Sequence, residues 1–282
     1  MRKINSSASG KLMLFGEYAV LHNRPCLVAA IDKSLTLKVV EGKRDKVNES
    51  VFVKTVIDNF SQQFGEIKAT VKTVSSFGSE HGLGSSAAVT VALTKALFKL
   101  KEIKITNKEL FDFCYQVVKE VQGVGSGFDL AAAIYGGVVY FVTGGKKIEK
   151  LAVKELPLVV GYSGVKADTA TMIKRARISQ SFLQKSEIIV EQARVALEKQ
   201  DWETAGKLMN QNQEILRKIG VSTPKLEQLI QASLAAGAWG AKLSGAGGGD
   251  CMIALANEGK KAAVEKAIQL VGGEIIRVKL AL

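Results

Sequence analysis

The chain has 282 residues, 47% of them hydrophobic, with a formal net charge of +12 and three cysteines. That length can bury a sizeable core in one large domain or two ordinary ones, and no apolar run is long enough to span a membrane. Lysines and arginines are scattered beside acids, as in Lys99-Leu100-Lys101-Glu102, and carry no interleaved aromatics, which argues against a nucleic-acid reader.

Met1-Arg2-Lys3-Ile4-Asn5 is followed by Ser6 and Ser7 rather than by an apolar signal core, so a soluble, unexported, cytoplasmic protein is expected. Cys26, Cys114 and Cys251 are widely separated, odd in number and set among apolar residues. Buried, reduced thiols are expected there, not disulfides or metal ligands.

Residues 6–15 read as a strand ending in a turn at Gly16-Glu17. The apolar run 25–31 and the alternating run 35–40 read as further strands. Residues 51–64 have helical spacing, and 67–74 alternate again. Helices are predicted over about 86–100 and 107–121, the second announced by Thr106 as cap and Glu109 three residues on. Residues 136–142 read as a strand closed by Gly144-Gly145. Residues 151–162 are strand-like, with Pro157 suiting an edge, and 169–235 are almost wholly helical. Residues 242–255, 259–271 and 274–280 then read strand, helix, strand. A soft boundary falls near 145–155 with no low-complexity linker, giving closely packed units 1–150 and 151–282. The mixture predicts an α+β architecture with antiparallel sheets.

Four segments carry chemistry. Glu80-His81-Gly82-Leu83-Gly84-Ser85-Ser86-Ala87-Ala88 places glycines and small hydroxyls at the start of an apolar helix. Such a start offers unpaired N–H groups and a positive dipole end to a phosphate, although an ordinary cap has the same look. It lacks the closing Gly-Lys-Ser/Thr of the Walker loop. Ser7-Ala8-Ser9-Gly10-Lys11-Leu12-Met13-Leu14-Phe15-Gly16-Glu17-Tyr18 sets a lysine inside an apolar strand and a carboxylate in a tight turn; a snorkelling lysine and a solvated acid are the plain alternatives. Gly123-Val124-Gly125-Ser126-Gly127-Phe128-Asp129 puts an aspartate just after three glycines, where it can cap a helix or serve as a base approached closely by backbone and substrate. Gly240-Ala241-Lys242-Leu243-Ser244-Gly245-Ala246-Gly247-Gly248-Gly249-Asp250 concentrates glycine at high entropic cost. A loop folding over an anion is expected there in preference to a plain hairpin. His22 is expected in a structural hydrogen bond, and His81 at a phosphate, at a ribose or in solvent.

In this order and at these separations, the four segments resemble the GHMP kinases (galactokinase, homoserine kinase, mevalonate kinase and phosphomevalonate kinase), over nearly the whole chain. The resemblance implies two α+β lobes with mixed or antiparallel sheets, and ATP and acceptor in a cleft between them. It places Glu80, His81, Gly82, Leu83, Gly84, Ser85, Ser86 and Ala87 around the ATP phosphates, with Ser86 on Mg²⁺. Asp129 becomes the base for the acceptor hydroxyl, and Lys11 the cation beside it. Glu17, Tyr18, Ser244, Gly245, Ala246 and Gly247 fall at the acceptor, and Glu120 is the available acidic Mg²⁺ ligand, at a shorter offset from Asp129 than usual.

Within the family, Lys11 to His22 with Pro25, Gly161 to Ala167, and Met209 to Gln213 look like the mevalonate branch. Gly125 to Asp129 and Gly249-Asp250-Cys251 are similar to the phosphomevalonate branch, and Tyr18 stands where mevalonate kinases usually have histidine. Phosphorylation of the 5-hydroxyl of mevalonate is the leading expectation, and of 5-phosphomevalonate the alternative. A non-catalytic nucleic-acid-binding protein on the same architecture is a remote third. The resemblance leaves a homodimer open.

Overall fold

The computed structural model describes residues 2–42, 50–78 and 81–282. Two antiparallel sheets organise it. β1 (Lys3–Phe15), β2 (Pro25–Glu41), β4 (Val138–Val142) and β5 (Lys147–Lys150) lie in that order, with β3 (Ala69–Ser75) also pairing with β2. The second sheet has the order β7 (Gly240–Ser244), β8 (Cys251–Leu255), β6 (Leu158–Tyr162), β9 (Glu274–Ile275). The α+β expectation holds.

The two strands expected over 25–40 form the single strand β2. Its outer half pairs with β3 and its inner half with β4. The register against β1 jumps where Ser9 faces Ser34 but Gly10 faces Ile31, so Asp32 and Lys33 bulge out. That polar bulge made one strand look like two.

Helices α1 (Val51–Phe64), α2 (Ser85–Leu100), α3 (Asn107–Gln122) and α4 (Phe128–Tyr135) belong to the first sheet. α2 and α4 pack on β1 and β2, and α1 and α3 pack against α2. The rings of Phe60, Phe64, Phe98 and Phe113 meet edge-on or tilted between α1, α2 and α3. α3 starts as its sequence announces: Thr106 accepts from the Glu109 N–H, and Glu109 reaches back to the Thr106 N–H at 2.8 Å.

The long helical region resolves into α5 (Thr169–Arg175), α6 (Gln180–Glu198), α7 (Trp202–Lys218) and α8 (Pro224–Ala235), followed by α9 (Glu258–Leu270). α7 and α8 pack on β7, and α9 packs on β6 and β9. α6 lies on α7 but also touches β1 and β2. Nothing separates α7 from β7 where Gly206 crosses Gly240; a Cβ at Gly240 would stand 1.9 Å from the Gly206 carbonyl oxygen, and one at Gly206 would stand 2.6 Å from Trp239. Gly206→Ala should therefore lower stability by about 2 kcal/mol or more, read by chemical denaturation. Wild-type stability would show that the helix can lift away freely.

The strand expected over 274–280 is only the short β9. The chain then leaves the second sheet for the first. Asp32 N–H donates to Lys279 O and Asp32 Oδ1 accepts from Lys279 N–H, both at 2.9 Å. Leu280 bridges Ile31, and Ala281 N–H donates to Ala30 O at 3.0 Å. Among the described residues, no helix is long and apolar enough to cross a membrane. All three cysteines are buried and free, and burial pushes the Cys114 and Cys251 thiols up to about 12.

Candidate active site

Lys11 is the point on which the first three segments converge. It stands on β1 opposite Ala30 and is buried. Its backbone N–H donates to Leu83 O, and its ammonium donates to Gly82 O, both at 2.9 Å. The same ammonium lies 5.4 Å from the ring centre of Phe128, the first residue of α4. One side chain thus joins the loop before α2 to the start of α4. It does not snorkel to solvent.

α2 and α4 begin alike. Their N-caps, Gly84 and Gly127, have φ of 86° and 91°, and neither helix has a capping side chain. Ser50, Thr106, Asp168, Ser179, Asp201 and Thr223 each accept from the first turn of their own helices. The starts of α2 and α4, like that of α9 after Asn257, thus receive no side-chain cap, and an uncapped helix start has the unpaired N–H groups and positive dipole end that suit an anion. Ser85 and Ser86 occupy the first turn of α2, half-buried; Leu83 and Ala87 are buried. Asp129 sits half-buried in the first turn of α4. Burial, reinforced by the charges of Glu17 and then Asp129, drives the Cys26 thiol well above its ordinary range. A fixed cation, a carboxylate and two open helix ends are parts that phosphoryl transfer uses, because positioning and electrostatics carry most of its rate.

The late glycine run is the loop of a hairpin after all. β7 and β8 pair from Gly240↔Leu255 to Ser244↔Cys251, and residues 245–250 connect them. The loop keeps its strands in register because it is tied outside the hairpin: Gly248 N–H donates to Val221 O at 2.9 Å and Asp250 N–H to Val165 O at 2.7 Å. At Gly247 a Cβ would stand 2.1 Å from the Val221 carbonyl oxygen, so close backbone approach accounts for that glycine.

The residues expected at the acceptor divide. Tyr18, at φ 63°, donates its hydroxyl to Ala246 O, and burial, then the charge of Glu17, raises its pKa. Tyr18, Gly245, Ala246 and Gly247 are thereby brought together. Glu17 and Ser244 have side chains already engaged by the protein. Glu17 is 1% exposed and ion-paired with Lys242, itself 0% exposed. Ser244 Oγ accepts from Met13 N–H at 3.1 Å and donates to Met13 O at 3.0 Å.

Two further expected residues turn their side chains to other partners. Glu120 is exposed on α3, its Oε2 accepting from Asn59 of α1 at 2.9 Å. His81 accepts the Gly78 N–H on Nδ1 at 3.2 Å and sets its ring edge-on to Tyr162 at 4.9 Å, facing the second sheet. Glu80 lies outside the described residues.

Sequence reading missed Lys242 and the contact made by Asp250. Asp250, at φ 56°, lies beside Gly82, accepts from Ala167 N–H at 3.0 Å and stands 3.4 Å from the Lys166 ammonium. The signal for Lys242 was present: a lone lysine in an apolar strand, the pattern noticed at Lys11.

Known proteins match this chain over nearly its whole length. A model of the GHMP kinases N terminal domain matches residues 51–137, and one described as GHMP kinases C terminal matches 193–273. The mevalonate kinase of Thermococcus gammatolerans is 34% identical over 96% of this chain and 94% of its own, and that of Pyrococcus abyssi 32% identical over 96% and 94%. The crystal structure of L. major mevalonate kinase in complex with R-mevalonate superposes with a TM-score of 0.83 at 28% identity, covering 98% of this chain and 95% of that one. Streptococcus pneumoniae phosphomevalonate kinase in complex with phosphomevalonate and AMPPNP has a TM-score of 0.88 at 22% identity, covering 99% and 100%, a likeness of fold. With matching N- and C-terminal models, relatives above 30% identity over nearly all its length, and the two open helix ends around Lys11, this chain belongs to the GHMP kinases.

Proposed function

We propose that this kinase transfers the γ-phosphoryl group of ATP to the 5-hydroxyl of mevalonate, in a cleft between units 1–150 and 151–282. The convergence of Lys11 with the uncapped starts of α2 and α4 carries the reading, and the curated relatives named mevalonate kinase supply the acceptor. The loop 82–87 and the first N–H groups of α2 hold the phosphates. Asp129 takes the hydroxyl proton, and Lys11 offsets the charge that develops during transfer. Tyr18 and the loop 245–247 line the acceptor side.

The donor set suits Mg²⁺ carried chiefly by nucleotide phosphates: Ser86 offers a hydroxyl, and among the described residues no cluster of three acidic, histidine or cysteine side chains forms a metal cage. The ion would draw charge from the phosphates. Glu120, turned to Asn59, is given no role. Three buried free thiols fit a reducing cytoplasm, and a lysine-rich surface without aromatic platforms fits a small-molecule acceptor better than nucleic acid.

The test is incubation with ATP, Mg²⁺ and either R-mevalonate or 5-phosphomevalonate, following ADP and product mass. Turnover of mevalonate, together with thermal stabilisation by ATP that needs Mg²⁺, is expected. Turnover of phosphomevalonate alone would overturn the acceptor. Inactivity with both would move it elsewhere in the family.

A further inference from the structure

Where the end of β1 meets β7, three polar contacts form a clasp between the two sheets. Met13 and Ser244 exchange two hydrogen bonds, Glu17 pairs with Lys242, and Tyr18 holds Ala246. The middle contact is the costly one. Both charges are withdrawn from water, and Glu17 Oε2 has no hydrogen-bond partner in the protein. Pairs of this kind generally add less stability than well-packed apolar residues of the same size, so stability alone does not account for this one. β7 cannot shift to relieve the pair: α7 holds it from behind, with Asn210 Oδ1 accepting from Ala241 N–H and Gln213 Oε1 from Leu243 N–H, both at 3.0 Å.

We propose that the Glu17–Lys242 pair is a positioning device for catalysis, fixing the glycine loop 245–250 against the turn that ends β1. The geometry runs through two neighbours. Glu17 immediately precedes Tyr18, whose left-handed backbone costs energy and lasts only if its surroundings impose it. The Tyr18 hydroxyl then grips the loop at Ala246. Lys11 stands on the same strand as Met13, so the clasp sets the spacing between the phosphate side and the loop. Glu17 and Lys242 need touch no substrate for this. The catalytic consequence rests on the proposed function; the effect on the loop does not.

The decisive variant is the double substitution Glu17→Gln with Lys242→Met. Lys242→Met alone strands a buried carboxylate and should lower Tm by roughly 10 °C. The neutral pair in the double variant should restore most of that loss. A purely structural role predicts that activity returns with stability. The positioning role predicts that it does not: the double variant keeps wild-type ATP-dependent thermal stabilisation, while KM for the acceptor rises and kcat/KM falls about 10- to 100-fold. Hydrogen exchange of the Gly248 amide, bonded to Val221 O, should quicken in the double variant while the helix cores stay protected. A refolded double variant with wild-type kcat/KM and wild-type exchange at Gly248 would overturn the inference. If the wild type itself leaves mevalonate untouched, the proposed acceptor fails while the exchange measurement still decides the clasp.

Discussion

Asp129→Asn protein should turn over about a thousandfold more slowly than wild type, or less, and still bind ATP with nearly unchanged affinity. Asparagine keeps the size of the side chain but cannot accept the acceptor's proton at neutral pH. The fold should survive, because α4 takes its cap from Gly127 and not from the Asp129 side chain. Its neighbours Leu130, Ala131 and Ala132 remain packed in the core. Steady-state kinetics with an ATP titration by thermal shift separates the two quantities. Substantial activity in the folded variant would remove Asp129 as the base.

Lys11→Met should cost about two to three orders of magnitude in kcat, comparable to losing one preorganised donor to the transition state. Methionine follows the buried stem of lysine but loses the ammonium and its bond to Gly82 O. It also loses the cation set over Phe128, on the turn that bears Asp129. The effect should fall mainly on kcat, because the N–H groups of α2 remain available to the nucleotide. A loss confined to KM for ATP would make Lys11 a ground-state phosphate ligand instead.

How far the chain could be read depended on how local each signal was. The α3 capping box needs four residues, and Thr106 and Glu109 announce it unaided. The starts of α2 and α4 were legible because glycine, serine and aspartate changed the local composition abruptly. β2 was broken in two by Asp32-Lys33-Ser34, since a bulge is polar like a turn and only the partner strand tells them apart. The hairpin β7–β8 hid behind its glycines for the same reason: its loop is braced by Val165 and Val221, far away in sequence. Glu17 and Lys242 are 225 residues apart, and nothing along the chain says that a turn acid will be buried against that lysine. Ser244 is expected at the acceptor by resemblance, and only the folded chain shows that its hydroxyl also closes on Met13. The fold class survives such errors because it follows from many short patterns; roles that depend on a distant partner do not.

Residues 279–281 hydrogen-bond to Ala30 and Asp32 of the first sheet, and the Ala281 carbonyl accepts from Gly137, just beyond α4. During synthesis β2 and β4 emerge long before that segment exists. At about 5–20 residues per second, the ribosome holds the N-terminal unit for many seconds with this seam of backbone donors and acceptors still open. The chain just beyond the helix carrying Asp129 thus gains this brace only after residues 279–281 have been made and released from the ribosome, so a nascent chain should acquire its fold in two stages.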